Sequence, residues 1–149
     1  MRQFQVTVDV PAPPRRVWDV LCDIEHWPEW TASISSTRSL DPGPFAVGSR
    51  IRITQPKLPP ALWKITEWDE SATRFTWVST GPGIHVTASH TVTPSPSGSQ
   101  VRLGIEYAGL FGPLLGWLIR DINQRYVNME AAGLAKAVTA RLDPLERPR

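Results

Sequence analysis

Residues 33 to 108 alternate between strand-like segments and turn signals, and this pattern constrains the fold more than any other feature. In G-S-R-I-R-I-T-Q-P, Ile51 and Ile53 fall on one face and Arg50 and Arg52 on the other. Similar runs follow at A-L-W-K-I-T-E-W, R-F-T-W-V, I-H-V-T-A-S-H-T-V-T and Q-V-R-L-G-I-E-Y, with D-E-S-A-T, G-P-G and S-P-S-G-S between them. Alternation of period two with such short connections is typical of hairpins. With the weakly patterned segment I-S-S-T-R-S-L, the region predicts an antiparallel sheet of about six strands.

The segments before this region predict a strand followed by short helices. Residues 3–10, Q-F-Q-V-T-V-D-V, alternate strictly and predict a strand with Phe4 and Val6 on its buried face. P-A-P-P ends the strand, and P-R-R-V-W-D-V-L-C-D-I then places apolar residues at helical spacing. Its Cys22 is interpreted as a small core residue rather than a reactive thiol.

The stretch I-E-H-W-P-E-W, residues 24–30, combines two tryptophans with a proline and one of three histidines. Trp27 precedes Pro28, which disfavours helical geometry at Trp27, whereas Pro28 itself can begin a second short helix, P-E-W-T-A-S-I. We therefore interpret the stretch as structural, with His26 exposed. Trp30 rather than Trp27 is expected to face any cavity nearby.

After residue 111, about 30 residues without a proline beyond the first turn predict one long amphipathic helix laid across the sheet. A wheel drawn at about 100° per residue gives this helix an apolar stripe. The stripe contains Leu115, Leu118, Ile119, Ile122, Tyr126, Met129, Gly133, Ala137 and Ala140. Gly133 lies in the middle of the stripe, where close packing is the commoner explanation and space left for a ligand is the other.

Bulk properties exclude several classes of function. The 149 residues suit a single domain, predicted at residues 1–142 with a frayed tail at 143–149. A net charge of +2 with Arg15-Arg16 as the one basic doublet argues against a nucleic-acid partner. One cysteine and three dispersed histidines provide no metal site, and no Gly-rich loop indicates a cofactor. No signal region or membrane span is apparent, so a cytoplasmic location without stable membrane insertion is expected, and the oligomeric state is left open.

Several motifs together carry a resemblance to a known superfamily. They are V-D-V-P-A-P-P-R-R-V-W-D-V-L-C-D, W-P-E-W, G-S-R-I-R-I, W-K-I-T-E-W-D, F-T-W-V and H-T-V-T-P-S-P-S-G-S-Q-V-R-L-G-I-E-Y-A-G. Over residues 3 to 141 the chain resembles the START / polyketide cyclase / birch-pollen-allergen (SRPBCC) superfamily, most closely the small bacterial proteins described as polyketide cyclase/dehydrase and lipid transport. The resemblance implies an α+β helix-grip fold, in which a curved antiparallel sheet wraps around a long C-terminal helix and leaves a cavity between them. Members include carriers, receptors, cyclases and chaperone activators, so function must be argued from the site.

Strand phase suggests which polar side chains point into such a cavity. In I-H-V-T-A-S-H-T-V-T, His90 shares the apolar face with Val86 and Ala88, and His85 lies on the other face. The same rule places Glu67, Tyr107 and Arg38 inward, and the helix wheel adds Tyr126. A buried His90 near the carboxylate of Glu67 could move a proton near neutral pH. The simpler interpretation, which we favour at this point, is that His90 bonds a backbone carbonyl and Glu67 sits at a strand end in water.

Three functions are compatible with these observations. The first is binding or transport of a small hydrophobic molecule, such as a lipid, isoprenoid or polyketide-like compound. The residues expected to contact it are Trp30, Ile53, Trp63, Phe75, Trp77, His90, Tyr107, Ile122, Tyr126 and Met129. The second is a cyclase, aromatase or dehydratase with His90 and Glu67 as candidate catalytic residues. The third is a membrane- or partner-surface module built on A-G-L-F-G-P-L-L-G-W-L-I. If the seven tryptophans filled the cavity, only a packed core would remain.

Overall fold

The computed structural model describes residues 2–142, which contain one sheet and a small set of helices. The strands are β1 Arg2–Val10, β2 Ser36–Ser39, β3 Arg50–Thr54, β4 Ala61–Asp69, β5 Arg74–Gly81, β6 Ile84–Ser95 and β7 Gly98–Ala108. The helices are α1 Pro14–Cys22, a 3₁₀ helix Ile24–Glu29, α2 Gly112–Leu118 and α3 Arg120–Ala140.

The sheet is antiparallel throughout, and its seven strands are ordered β1-β7-β6-β5-β4-β3-β2. Consecutive strands from β2 to β7 form hairpins, as the turn signals predict. The first strand pairs with the last, from Arg2 opposite Tyr107 to Val10 opposite Ser99. Helix α3 covers the apolar face of the sheet, where Ile51, Phe75 and Val101 share one core with Leu134 of the helix. The chain therefore has the helix-grip fold.

The stretch at residues 24–30 folds differently from its prediction. Ile24–Glu29 is a single 3₁₀ helix that contains Pro28, and no second helix begins at that proline. Trp27 fixes the segment, because its indole Nε1 donates to the Leu21 carbonyl at 3.0 Å and its own carbonyl accepts from the amides of Trp30 and Thr31. His26 is exposed, as expected, and its ring lies 2.7 Å from an Asp23 carboxylate oxygen.

The long C-terminal helix is interrupted, contrary to the prediction of one continuous helix. Ile119 leaves helical geometry, with φ −104° and ψ 14°, and separates α2 from α3. Helix α2 is seated on Tyr107, because a Cβ on Gly112 would lie 3.0 Å from the Tyr107 carbonyl carbon and one on Gly116 would lie 3.1 Å from its ring. The Ile119 amide donates to the Leu115 carbonyl and the Asn123 amide to the Ile119 carbonyl, so the helical spacing continues across the break. The buried residues of α3 are Asn123, Tyr126, Val127, Ala131, Leu134 and Val138.

Gly133 is explained by close packing, but not against the sheet. The position that its Cβ would occupy is taken by the backbone carbonyl of Trp30, at the end of the 3₁₀ helix. Glycine is therefore the residue that allows α3 to approach this segment.

Within the described part of the chain, no helix has the length and apolar character needed to cross a membrane. The predicted frayed tail at 143–149 lies outside the described residues. The domain boundary at residue 142 and the cytoplasmic location stay predictions.

Candidate functional site

A cavity of about 370 Å³ lies between the sheet and α3. Its walls are mostly apolar and include three indole rings, from Trp27, Trp63 and Trp77. The other large rings do not fill the space. Trp18 and Trp68 pack against Phe75 beside the cavity, with ring centroids 6.1 Å and 5.2 Å from that ring.

The cavity has an outer and an inner end. Its exposed lining residues lie where β4 begins and β5 ends, and they are Pro59, Pro60, Leu62, Thr80 and Gly81. The junction of α2 and α3 completes this outer end with Leu115 and Ile119. From there the cavity runs along the strands to the inner end, where His90 is buried and the Glu130 side chain is 16% exposed.

His90 and Glu130 face each other at the inner end, with 3.7 Å between Nε2 of the imidazole and Oε1 of the carboxyl group. Burial raises the pKa of Glu130 to about 8. Burial also lowers the pKa of His90 to about 3, against a weak opposing effect of the Phe75 backbone. At neutral pH the inner end therefore holds a neutral imidazole beside a largely protonated carboxyl group.

Aromatic rings enclose His90 and account for its loss of hydration. The Phe75 ring stacks on the imidazole at 4.2 Å with an interplanar angle of 11°. The rings of Trp77 and Trp27 lie 5.2 Å and 5.6 Å away. Nδ1 of His90 has no hydrogen-bond partner of good geometry, and neither has Oε1 of Glu130. A buried polar atom without a partner is uncommon in folded proteins, and it marks a place where a ligand or water can bind.

A second polar pair lies toward the outer end. The Tyr107 hydroxyl donates to Oδ1 of Asn123 at 3.2 Å, and Nδ2 of Asn123 has no partner. Burial raises the pKa of Tyr107 to about 12, so its hydroxyl stays protonated. Nearby, the Tyr126 hydroxyl donates to the Pro56 carbonyl and ties α3 to the β3–β4 loop.

Comparison with known proteins identifies the family. A family model described as polyketide cyclase / dehydrase and lipid transport matches residues 1–146. The chain belongs to this family. An uncharacterized protein of Mycobacterium tuberculosis is 28% identical over 127 residues, which cover 76% of this chain and 83% of the relative.

Solved structures share the fold of this family member at low sequence identity. The Zhui aromatase/cyclase from Streptomyces sp. R1128 aligns with a TM-score of 0.79 and 14% identity, over 99% of both chains. A Thermus thermophilus protein, TTHA0849, aligns with a TM-score of 0.77 and 22% identity, over 95% of this chain and 100% of its own. These likenesses establish the helix-grip fold and leave the ligand open.

In this family member, six of the residues predicted to contact a ligand line the cavity. They are Ile53, Trp63, Trp77, His90, Tyr107 and Tyr126. Phe75 lies behind the imidazole of His90 and does not reach the cavity. Ile122 and Met129 are half-buried beside the inward face of α3, and neither lines the cavity. Trp27 lines the cavity and Trp30 does not, so the predicted choice between them was wrong.

Two further predictions of strand phase were wrong. A register shift between Ile65 and Glu67 turns Trp68 inward and Glu67 outward, where its carboxylate lies 2.8 Å from Nε of Arg74. Glu67 therefore does not meet His90. Arg38 is exposed in β2, and the inward residue is Thr37, whose hydroxyl donates to the Ile24 carbonyl at 3.1 Å. Ile34 lies before β2 begins, so its inward direction does not predict the direction of Arg38 by strand alternation.

Sequence reasoning missed Asn123 and Glu130, which α3 contributes to the cavity together with Tyr126. Their spacing contains a signal. Asn123, Val127, Glu130 and Leu134 follow one another at intervals of four, three and four residues, which places them on one helix face. A polar residue in register with a buried stripe is a candidate for the site.

The remaining candidate groups are not arranged for other chemistry. Cys22 is half-buried, and burial, together with Glu70 and Asp19, raises its thiol pKa to about 12, which suppresses the nucleophilic thiolate. Across residues 2–142, no group of three or more His, Cys, Asp or Glu side chains could hold a metal ion.

Helix α2 and the residues before it carry an exposed apolar surface, which we call the α2 surface. It consists of Leu110, Phe111, Leu114, Trp117 and Leu118. Among the described residues, Val47 and Leu62 are the other exposed large hydrophobic side chains. The α2 surface adjoins the outer end of the cavity, because Leu115 of the same helix lines it.

Proposed function

We propose that the cavity binds one small, largely apolar molecule, such as a lipid, an isoprenoid or a polyketide-like compound. The observation that carries this proposal is the cavity of about 370 Å³, lined by three indole rings and a few buried polar groups. Ligand sites in proteins are typically apolar clefts of this size, with a few polar groups that fix orientation. The lipid-transport description of the family is consistent with this role.

Two physical arguments support ligand binding. A molecule that occupies the cavity gains dispersion contacts with the apolar atoms that line it. In addition, His90 Nδ1, Asn123 Nδ2 and Glu130 Oε1 lack partners, although each belongs to a residue that lines the cavity. A ligand that brings hydrogen-bonding atoms to them removes part of the cost of their burial.

Native mass spectrometry of freshly purified protein, followed by solvent extraction, tests whether a ligand co-purifies. Independently, 4-hydroxybiphenyl serves as a probe in isothermal titration calorimetry. Ala88→Leu projects into the cavity and is expected to weaken binding at least tenfold. Thr87→Leu is the matched control, because Thr87 lies on the opposite face of β6. Failure of the probe to bind, or equal binding by the two variants, would contradict the proposal.

A second candidate function is acid–base catalysis, and the pair at the inner end favours it. A carboxyl group with a pKa of about 8 is poised to take and return a proton near neutral pH, whereas an imidazole with a pKa of about 3 is a weak base. Glu130 is therefore a better candidate than His90 for the proton-moving group of a cyclase or dehydratase. The neutral imidazole can donate a hydrogen bond where negative charge develops.

Hydrogen exchange in a ketone probe tests this chemistry without a known substrate. In D₂O, proton NMR of 4-acetylbiphenyl follows exchange of the methyl hydrogens next to the carbonyl group. Catalysis predicts faster exchange with the protein, rising through pH 8 as Glu130 ionises, and no acceleration with Glu130→Gln. Met129→Leu is the control on the same helix, outside the cavity. Equal exchange with Glu130→Gln and the parent protein would exclude Glu130.

The surface-module alternative stays a prediction, and the exposed α2 surface is the observation that favours it. Only some of the leucines in α2 pack inside the protein. Leu115 lines the cavity, whereas Leu114 and Leu118 are exposed. Exposed apolar clusters often mark interaction sites. Flotation with anionic liposomes at low salt, for the parent protein and Trp117→Ser, would test the membrane version.

A further inference from the structure

The two polar pairs occupy opposite ends of the cavity, and each offers an unsatisfied atom. At the outer end, Asn123 is 6% exposed and its Nδ2 has no partner, since its Oδ1 accepts from Tyr107. At the inner end, His90 is 4% exposed, and Glu130 Oε1 and His90 Nδ1 lack partners. Both ends can therefore form a hydrogen bond with a ligand.

Two independent measures give a similar separation between the ends. Asn123 and Glu130 are seven residues apart on α3, which corresponds to about 10 Å along a helix. Across the sheet, Tyr107 pairs with Val86, and His90 lies four residues further along β6. That distance corresponds to about 13 Å along a strand. A ligand that reaches both ends is therefore elongated.

The wall between the ends is apolar, and the cavity offers no positive counter-charge. Trp63, Trp77, Ala88 and Val127 line the middle. Among the described residues that line the cavity, none is lysine or arginine, and His90 is neutral at pH 7. A carboxylate or phosphate placed here would be buried without a cation, which is costly.

From this geometry we propose that the ligand is an elongated molecule without negative charge that carries a hydrogen-bonding group at each end of an apolar body. The inner group binds at Glu130 and His90, and the outer group accepts from Asn123 Nδ2. The inference rests on the proposed ligand binding and adds the arrangement of the ligand's polar groups.

A matched series of biphenyls tests the inference by isothermal titration calorimetry at pH 7. We expect 4,4′-dihydroxybiphenyl, with a hydroxyl at each end, to bind about three- to tenfold more tightly than 4-hydroxybiphenyl, although it is less hydrophobic. Biphenyl-4-carboxylate is expected to bind at least about tenfold more weakly than 4-hydroxybiphenyl. Equal or weaker binding of the diphenol, or equal binding of the carboxylate, overturns the inference.

Variants assign each end to its residues. Asn123→Leu and Glu130→Leu should each abolish the preference for the diphenol over 4-hydroxybiphenyl. Glu130→Gln keeps a hydrogen-bonding group and should keep the preference. Met129→Leu is the control for a substitution on α3 outside the cavity, and thermal unfolding confirms that each variant is folded.

The outcomes separate the two proposals. If 4-hydroxybiphenyl binds but the diphenol is not preferred, or the preference survives in both leucine variants, the cavity is a ligand site and the inferred polar arrangement is wrong. If none of the biphenyls binds to the folded protein, the proposed function fails together with the inference.

Discussion

Gly133 of α3 is in contact with the backbone carbonyl of Trp30, and the space for a side-chain carbon on Gly133 is already occupied by that carbonyl. Gly133→Ala should therefore destabilise the protein by about 1–3 kcal/mol, although alanine is normally the better residue inside a helix by up to about 1 kcal/mol. Urea unfolding measures the change. Ala132→Gly, at the neighbouring position, should lower stability by the ordinary helix-propensity difference of about 1 kcal/mol. A stabilised Gly133→Ala would show that α3 does not pack this closely.

Tyr126→Phe should loosen the β3–β4 loop. The hydroxyl of Tyr126 donates to the Pro56 carbonyl, and the next residue, Lys57, has a positive φ of 65° that needs support from its surroundings. We expect a loss of about 1 kcal/mol in stability and faster amide hydrogen exchange at Lys57 and Leu58. Tyr107→Phe, which leaves the loop contact intact, should not change exchange at these two amides. Unchanged exchange in Tyr126→Phe would show that the loop is held by other contacts.

Trp77→Ala and Trp68→Ala should separate ligand binding from stability. Both rings pack against Phe75, but only Trp77 lines the cavity. Each substitution should destabilise the protein by about 2–4 kcal/mol. Trp77→Ala should weaken the binding of 4-hydroxybiphenyl about tenfold or more, whereas Trp68→Ala should change it less than about threefold. Isothermal titration calorimetry, at a temperature where both variants are folded, measures the two affinities. Equal losses of affinity would contradict the assignment of Trp77, and not Trp68, to the cavity wall.

The inner pair of His90 and Glu130 predicts that the protein is most stable at mildly acidic pH. The pKa of Glu130 rises from 4.5 to about 8 on folding, so its contribution to stability is lost as pH rises through that range. The pKa of His90 falls from 6.5 to about 3, so stability is lost as pH falls from 6.5 toward 3. Between pH 4.5 and 6.5 the two groups change the free energy of unfolding with opposite slopes, which cancel. From pH 6.5 to 8 the free energy of unfolding decreases because of Glu130 alone.

Glu130→Gln should remove the decline above pH 6.5, whose slope reaches at most about 1.4 kcal/mol per pH unit. Urea midpoints at half-unit pH steps measure it. Glu67→Gln removes a carboxyl group at a partly exposed position and should keep the decline. If Glu130→Gln follows the parent curve, the carboxyl group is ionised in the folded protein and pairs with a protonated His90.

Glu67→Gln also tests the orientation of that residue directly. Its carboxylate pairs with Arg74 in solvent, with side chains that are 44% and 51% exposed, so its loss should change stability by less than about 1 kcal/mol. Probe affinity and ketone exchange should not change. A large change in probe affinity or in ketone exchange would show that the Glu67 side chain reaches the cavity.

The sequence was sufficient to predict the fold and the inward direction of several cavity residues in the sheet, because both depend on period-two alternation between turn signals. That rule places His90, Trp63, Trp77 and Tyr107 on the correct face. It fails at Glu67, since a bulge adds one residue to β4 and reverses the alternation beyond it. A bulge leaves no reliable mark in a single sequence.

The helical part of the site was predicted less well, for a different reason. The wheel was centred on the apolar residues of the helix, because hydrophobicity was used to define the inward face. It therefore selected Ile122 and Met129 instead of the neighbouring polar residues Asn123 and Glu130.

The pairing of β1 with β7 also affects the order in which the protein can fold during synthesis. Residues 2–10 cannot join the sheet until residues 98–108 have left the ribosome, and α3 follows later still. Until then the indole rings of Trp63 and Trp77 have no helix above them and stay open to solvent or to chaperones. The strand order that closes the cavity in the finished protein thus delays its closure in the nascent chain.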